Sequence, residues 1–279
     1  MPLLVTMHVY SGVPDPQWVI SGDDEQELRR LVASPAAASA AAAQEGVLGY
    51  RGFSVVDTAA DPAAPHLFKV QAAAGAVPSH SIAGAPEIEH FLLWTGHKHV
   101  SDELSTHVQA ALQTPIGVGP AAAPVRCPPC QAHDAPVYTP AAWNHPPVQA
   151  NNNCYNYANN QITNTFAQPG RATGHMYTSL TCASVRAAAQ SDGLVPCPNF
   201  IAPLAAGAGW YVALVIWPGQ DYHWYRQDKS GCWSHKPGGT PARNTDNSGH
   251  LISNPRTCNR GPYTVFCTFM ITRRTVHIR

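Results

Sequence analysis

Charge is scarce in this 279-residue chain: only 12% of its residues are Asp, Glu, Lys or Arg. The two signs balance at 17 each. No overall electrostatic excess therefore draws the chain to nucleic acid or to anionic lipid. Long apolar runs are missing as well. None reaches the roughly 18 residues that a membrane span requires. Met1-Pro-Leu-Leu-Val-Thr-Met7 has neither the basic start nor the apolar core of a secretory leader. No Asn-X-Ser/Thr sequon occurs. These absences make the cytoplasm the default address, with leaderless export as the alternative. No complete metal-ligand or cofactor motif is found either, so neither a metal nor a cofactor is expected.

What is present is enough apolar residue, 44% of the chain, to build buried cores in two domains of ordinary size. The first segment reads as a small α+β domain over 1–115. A strand pattern spans Leu3–Tyr10, and a helix starts in the acidic Asp23-Asp24-Glu25 and runs towards Ala33. Strand patterns follow at Tyr50–Asp57 and His66–Gln71, then helical ones at Glu87–Trp94 and Asp102–Gln113. Ala36–Ala43 suits a short helix or a connection. From 116 to 147 proline recurs every few residues, which excludes a long helix and reads as a linker.

The remainder, 148–279, alternates differently. Asn151–Asn153 can cap a helix from Cys154 to about Asn164, with Tyr155, Ala158 and Ile162 as its buried stripe. A second helix is expected at Thr181–Gln190, stopped by Gly193. Strands are expected at Trp210–Trp217, Tyr222–Gln227, Cys232–Lys236 and Tyr263–Thr272. Helices come first and an antiparallel sheet follows, so the fold class is α+β in both halves.

The chemistry-bearing residues gather in this second half. A cysteine at a helix start feels the helix dipole and unpaired backbone N–H groups, both of which favour thiolate. Cys154 is expected there, and the same N–H groups, helped by the side-chain amide of Asn152, Asn153 or Gln149, could hold an oxyanion. His223 and His235 lie on adjoining strands. A three-residue loop Lys229-Ser230-Gly231 would pair Tyr225 with His235 and put both histidines on one face, whereas a two-residue turn would separate them. His223 then takes a proton from Cys154 while His235 fixes its tautomer; Asp246 is the rival for that orienting role. Trp224 and Trp233 are candidates to line a substrate groove, or to serve as core.

The order of Cys at a helix start, then His223 and His235 on successive strands, resembles the papain-like superfamily and, within it, the bacterial NlpC-type cell-wall peptidases. That resemblance implies helices packed on an antiparallel sheet, with Cys154 as nucleophile, His223 as base and His235 as orienting residue. It implies a cysteine hydrolase of amide bonds acting through a thioester on a peptide, isopeptide or peptidoglycan-like substrate. Asn153-Cys-Tyr-Asn-Tyr157, Asn164-Thr-Phe-Ala-Gln-Pro-Gly170 and Trp233-Ser-His-Lys-Pro-Gly238 are also similar to a group that includes mollusc shell-matrix proteins. The second resemblance implies a non-catalytic binding or extracellular matrix role.

Cys127-Pro-Pro-Cys130 with His133 is half of a zinc pattern, but no second pair follows to complete it. A local disulfide or idle thiols are the simpler readings. His97-Lys-His99 follows a helix whose C-terminus favours cations.

Overall fold

The computed structural model describes residues 2–33, 47–57, 80–82, 85–113 and 126–279. The chain forms two compact units, both of mixed helix and antiparallel sheet. The strand expected at His66–Gln71 and the alanine tract at 36–43 lie outside the described residues.

The first unit comprises residues 1–9, 15–45 and 49–117. Its sheet has the order β2-β1-β3-β4, from β1 (Leu3–Met7), β2 (Gln17–Ile20), β3 (Phe53–Asp57) and β4 (His80–Ile82). Alternation puts Trp18 and Ile20 inside and Gln17 and Val19 outside. This strand and β4 were not foreseen: four residues after a Pro-rich turn, and three residues alone, carry too little periodicity. Among the described residues three helices join this sheet: α1 (Asp23–Val32), α2 (Pro86–Thr95) and α3 (Asp102–Gln113). All three carry acidic residues in the first turn, which complement the positive helix end. Glu89 of α2 is buried and returns to cap its own helix, accepting from the Ala85 N–H and the Tyr50 hydroxyl.

The second unit comprises residues 10–14, 46–48 and 118–279. Its sheet runs β5-β9-β6-β7-β8, built from β5 (Val195–Cys197), β6 (Trp210–Trp217), β7 (Asp221–Gln227), β8 (Trp233–His235) and β9 (Val265–Thr272). Every residue of β6 and β7 is buried. The central strands are thus covered on both faces, which is why β6 reads as a continuous apolar and aromatic run, whereas β7 interleaves buried Asp221, His223, Arg226 and Gln227 with its aromatics. One register shift occurs where Leu214 opposes Thr268 and Val215 opposes Phe266. Cys267 is therefore an extra, bulged residue, and it is disulfide-bonded to Cys182 of α6 (Cys182–Ser191).

The proline-rich stretch read as a linker is packed into this unit from residue 126 onward. Cys127 bonds to Cys232 rather than to its neighbour Cys130, so the local disulfide is replaced by one closing a long loop. Ala132 bridges Leu204, and Trp143 packs edge-on against Tyr157. Among the described residues no cluster of three or more His, Cys, Asp or Glu could hold a metal. No described helix is long and apolar enough to cross a membrane.

Candidate functional site

Cys154 begins α5 (Cys154–Ala158), which follows α4 (Val148–Asn151) and is a single turn rather than the longer helix expected. Asparagine ends it. Asn160 takes a left-handed conformation (φ 51°), which asparagine tolerates better than most residues. The side chain of Asn156 leaves the helical pattern to bond Gln161 O and Thr163 Oγ1. Ile162 consequently lies outside the helix and is 46% exposed, while Tyr155 and Ala158 are buried as expected.

The turn before the cysteine is fully committed to holding itself together. Asn153 Oδ1 accepts from the Tyr155 and Asn156 N–H groups, and Asn156 Oδ1 accepts from the Asn153 N–H in return. This is a reciprocal capping box with asparagine in the place of glutamate. Asn153 Nδ2 donates to Gly12 O and Ala167 O, and Asn152 Nδ2 donates to Val148 O and Asn164 Oδ1. Both amides have spent both hydrogens. Neither can serve as the oxyanion donor that the sequence suggested. Gln149 Nε2 donates to Gly239 O, 3.3 Å away. The buried Lys236 ammonium gathers three backbone carbonyls, Gln149 O, Asn152 O and Gly238 O, and thereby pins this turn to the end of β8.

The thiol is entirely buried. Burial pushes its pKa well up, the Asp221 carboxylate pushes the same way, and the Trp224 backbone N–H, turned towards the sulfur, only partly opposes them. A one-turn helix aligns too few peptide dipoles to reverse this. The activated thiolate expected from a helix start is thus not what the local electrostatics favour.

His223 and His235 do meet. The loop Lys229–Gly231 has Gly231 at φ 87°, Asp228 N bonds Cys232 O, and Tyr225 opposes His235 in the ladder. The wider register puts Cys197, Phe269, Ala213, Tyr225 and His235 in one row across all five strands. His223 Nε2 lies 2.9 Å from His235 Nδ1, and His235 Nε2 lies 3.0 Å from Thr245 O. A carbonyl can only accept, so His235 carries its proton on Nε2 and accepts on Nδ1. His223 must then donate from Nε2, which leaves Nδ1 as its basic nitrogen. Burial drives the His235 pKa down to about 3, so this ring is neutral at ordinary pH.

The pleat sorts the rest of β7. Trp224 stacks at a tilt on Tyr155, and the Arg226 guanidinium lies 4.2 Å over the Tyr157 ring, so even-numbered residues face α5. His223, with Tyr225, His235 and Tyr263 around it, points from the opposite face. Asp221, whose charge bears on the Cys154 thiol, is an odd-numbered residue of β7 like His223 and accepts from the hydroxyl of Tyr263, which packs on the His223 ring.

Asp246, the rival orienting residue, is spent on its own loop. Oδ1 accepts from the Ser248 and His250 N–H groups and Oδ2 from that of Asn259. Trp224 and Trp233 are core rather than groove lining. Both are completely buried, and Trp233 packs on Phe200 and Phe269.

Sequence reasoning passed over three residues that shape this region, Asp221, Arg226 and Asp228. Asp221 receives the N–H groups of three successive residues, Ser11, Gly12 and Val13, together with the Tyr263 hydroxyl. Burial pushes its pKa up to about 6 against the pull of those donors. Gly12 is required there because a Cβ would lie 2.5 Å from the Tyr222 ring. Arg226 and Asp228 form a buried pair, joined through the guanidinium to the Tyr157 hydroxyl, which also bonds Ser234. A carboxylate opening a strand and an Arg-x-Asp inside an apolar one were the visible signals.

No protein-family profile matches the chain, and no solved structure matches it. The papain-like resemblance therefore gains nothing from either comparison. The chain is 54% identical over 129 residues to a protein of Ruditapes philippinarum, Insoluble matrix shell protein 1. The match covers 46% of this chain and 84% of that protein. It overturns the cytoplasmic address expected from the lack of a leader pattern, since a shell matrix is extracellular material. The two disulfides point the same way, because such bonds persist in oxidising compartments. By this likeness the chain belongs to the family of the insoluble matrix shell protein.

Proposed function

We propose that this chain is a non-catalytic component of an extracellular protein matrix, built on an α+β scaffold. The observation that carries the reading is the 54% identity across most of a matrix shell protein. The site supports it from the chemical side. Its cysteine is buried with a raised pKa, its asparagine amides are hydrogen-bonded internally, and its tryptophans are core. Fractionation of source tissue followed by peptide mass spectrometry is the test. Peptides of this chain should dominate in the insoluble extracellular fraction; their confinement to the soluble cell extract would defeat the proposal.

One observation favours a second reading, a cysteine-dependent amide hydrolase acting through a thioester. The Thr245–His235–His223 chain of hydrogen bonds orients a histidine with its basic nitrogen at Nδ1, as a general base requires. A peptide or peptidoglycan-like substrate belongs to that reading alone. Alkylation separates the two. Under the matrix reading Cys154 of the native chain stays unmodified by iodoacetamide at neutral pH, with or without His223→Ala. Rapid modification that His223→Ala abolishes would restore the enzyme.

A further inference from the structure

The balanced charge of the whole chain conceals a partition between its two units. The first unit holds five Lys and Arg against twelve Asp and Glu, a formal charge of −7. The second holds twelve against five, a formal charge of +7. The imbalance at the surface of the second unit is sharper than the count. Asp192, Asp221, Asp228 and Asp246 are buried and bonded within the unit, and Asp134 accepts from the Gly207 and Gly209 N–H groups. Its outward charge is thus almost purely cationic, with Arg126, Arg186, Arg256, Arg274 and Arg279 exposed. The first unit shows the reverse, exposing Asp23, Glu87, Asp102 and Glu103 at its helix starts.

We propose that the chain self-associates head to tail, the cationic second unit of one copy engaging the acidic first unit of another. Opposite charges of equal size favour this partner over a copy in any like-to-like arrangement, where seven charges of one sign would face seven of the same. The contact is heterologous: each copy offers one acidic and one basic unit, so a bound pair still has both kinds free. Unless the rotation closes a ring, such contacts propagate into an open chain. A second copy also fits the cationic unit better than an unrelated polyanion, because the complementary charge is present in the same chain at the same magnitude. The inference stands on the charge partition and is independent of the matrix reading.

Sedimentation velocity of the full chain tests it, run over a range of protein concentrations at about 0.02 M and about 0.5 M NaCl, conditions that span strong and weak screening. Association should grow with protein concentration at low salt and weaken by about tenfold or more at high salt. The triple variant Arg126→Glu, Arg186→Glu, Arg274→Glu should remain monomeric at low salt, since it lowers the second unit to +1, from nine cations and eight carboxylates. The matching triple replacement by Lys, which keeps the charge, should associate like the parent. Circular dichroism of both triples confirms that they are folded; if the Glu triple is not, Arg186→Glu with Arg274→Glu alone should still weaken association. Three outcomes overturn the proposal: a parent that is monomeric at low salt, association that survives high salt, or association unchanged in the folded Glu variants. A monomeric parent that binds added poly-aspartate would assign the basic surface to a different acidic partner and also defeat it.

Discussion

Replacing Asn153 is the most direct way to ask whether the turn before Cys154 is scaffold or chemistry. As N-cap, Asn153 contributes about 1–2 kcal/mol through the two N–H groups it accepts from. Its two donated bonds, at 2.9 Å to Gly12 O and 2.8 Å to Ala167 O, add about 1 kcal/mol each. Gly12 O keeps Gln168 Nε2 and the Tyr222 hydroxyl as partners and is not orphaned. Asn153→Ala should therefore cost about 3 kcal/mol, a large part of the roughly 5–15 kcal/mol that holds a domain together. Asn153→Ser keeps the cap and loses the donors, at about 2 kcal/mol. Asn153→Asp keeps the cap but turns a carboxylate oxygen on two carbonyl oxygens in a buried site, and should be no better than alanine. Urea unfolding followed by tryptophan fluorescence reads this order, since five of the seven tryptophans lie in the second unit. A loss of about 3 kcal/mol moves the midpoint down by roughly 1–2 M. An alanine variant within about 0.5 kcal/mol of the parent would refute the reasoning, as would an aspartate variant more stable than serine.

The pH dependence of stability should carry the mark of His235. Its folded pKa is held near 3 while the unfolded value is 6.5. The unfolded state binds the proton first as pH falls, so the stabilisation is complete above pH 6.5 and is lost progressively down to about pH 3. The span corresponds to an upper bound of about 4–5 kcal/mol, and His235→Gln should flatten that slope in urea titrations. Arg226→Met strands Asp228 in the core and should destabilise by about 3–5 kcal/mol; Arg226→Met with Asp228→Leu should recover much of the loss, measured by the same unfolding curve. Tyr157→Phe removes the hydroxyl that joins Ser234 to Arg226 and should cost about 1–2 kcal/mol. The two disulfides close loops of 105 and 85 residues. In the chain-entropy account each contributes up to about 4–5 kcal/mol, so double Ala replacement of either pair should lower the melting temperature clearly, and no change would argue against that account.

Local chemistry in the sequence determined much of the second unit. The apolar run Trp210–Trp217 is a strand with those bounds, Thr181 caps the helix that ends before Gly193, and Gly231 marks the loop that sets the hairpin register. These features depend on residues next to one another, and so does the meeting of His223 with His235, which follows from counting across one turn. The one-turn length of α5, the partnership of Cys127 with Cys232 and the use of Asp221 to hold Ser11–Val13 were not legible. Each depends on contacts between residues far apart in the chain. Cys154 shows the difference most plainly. Its neighbours in sequence suggest an activated thiol, but burial beside Asp221 makes the charged form costly, and only the packed structure brings that desolvation about.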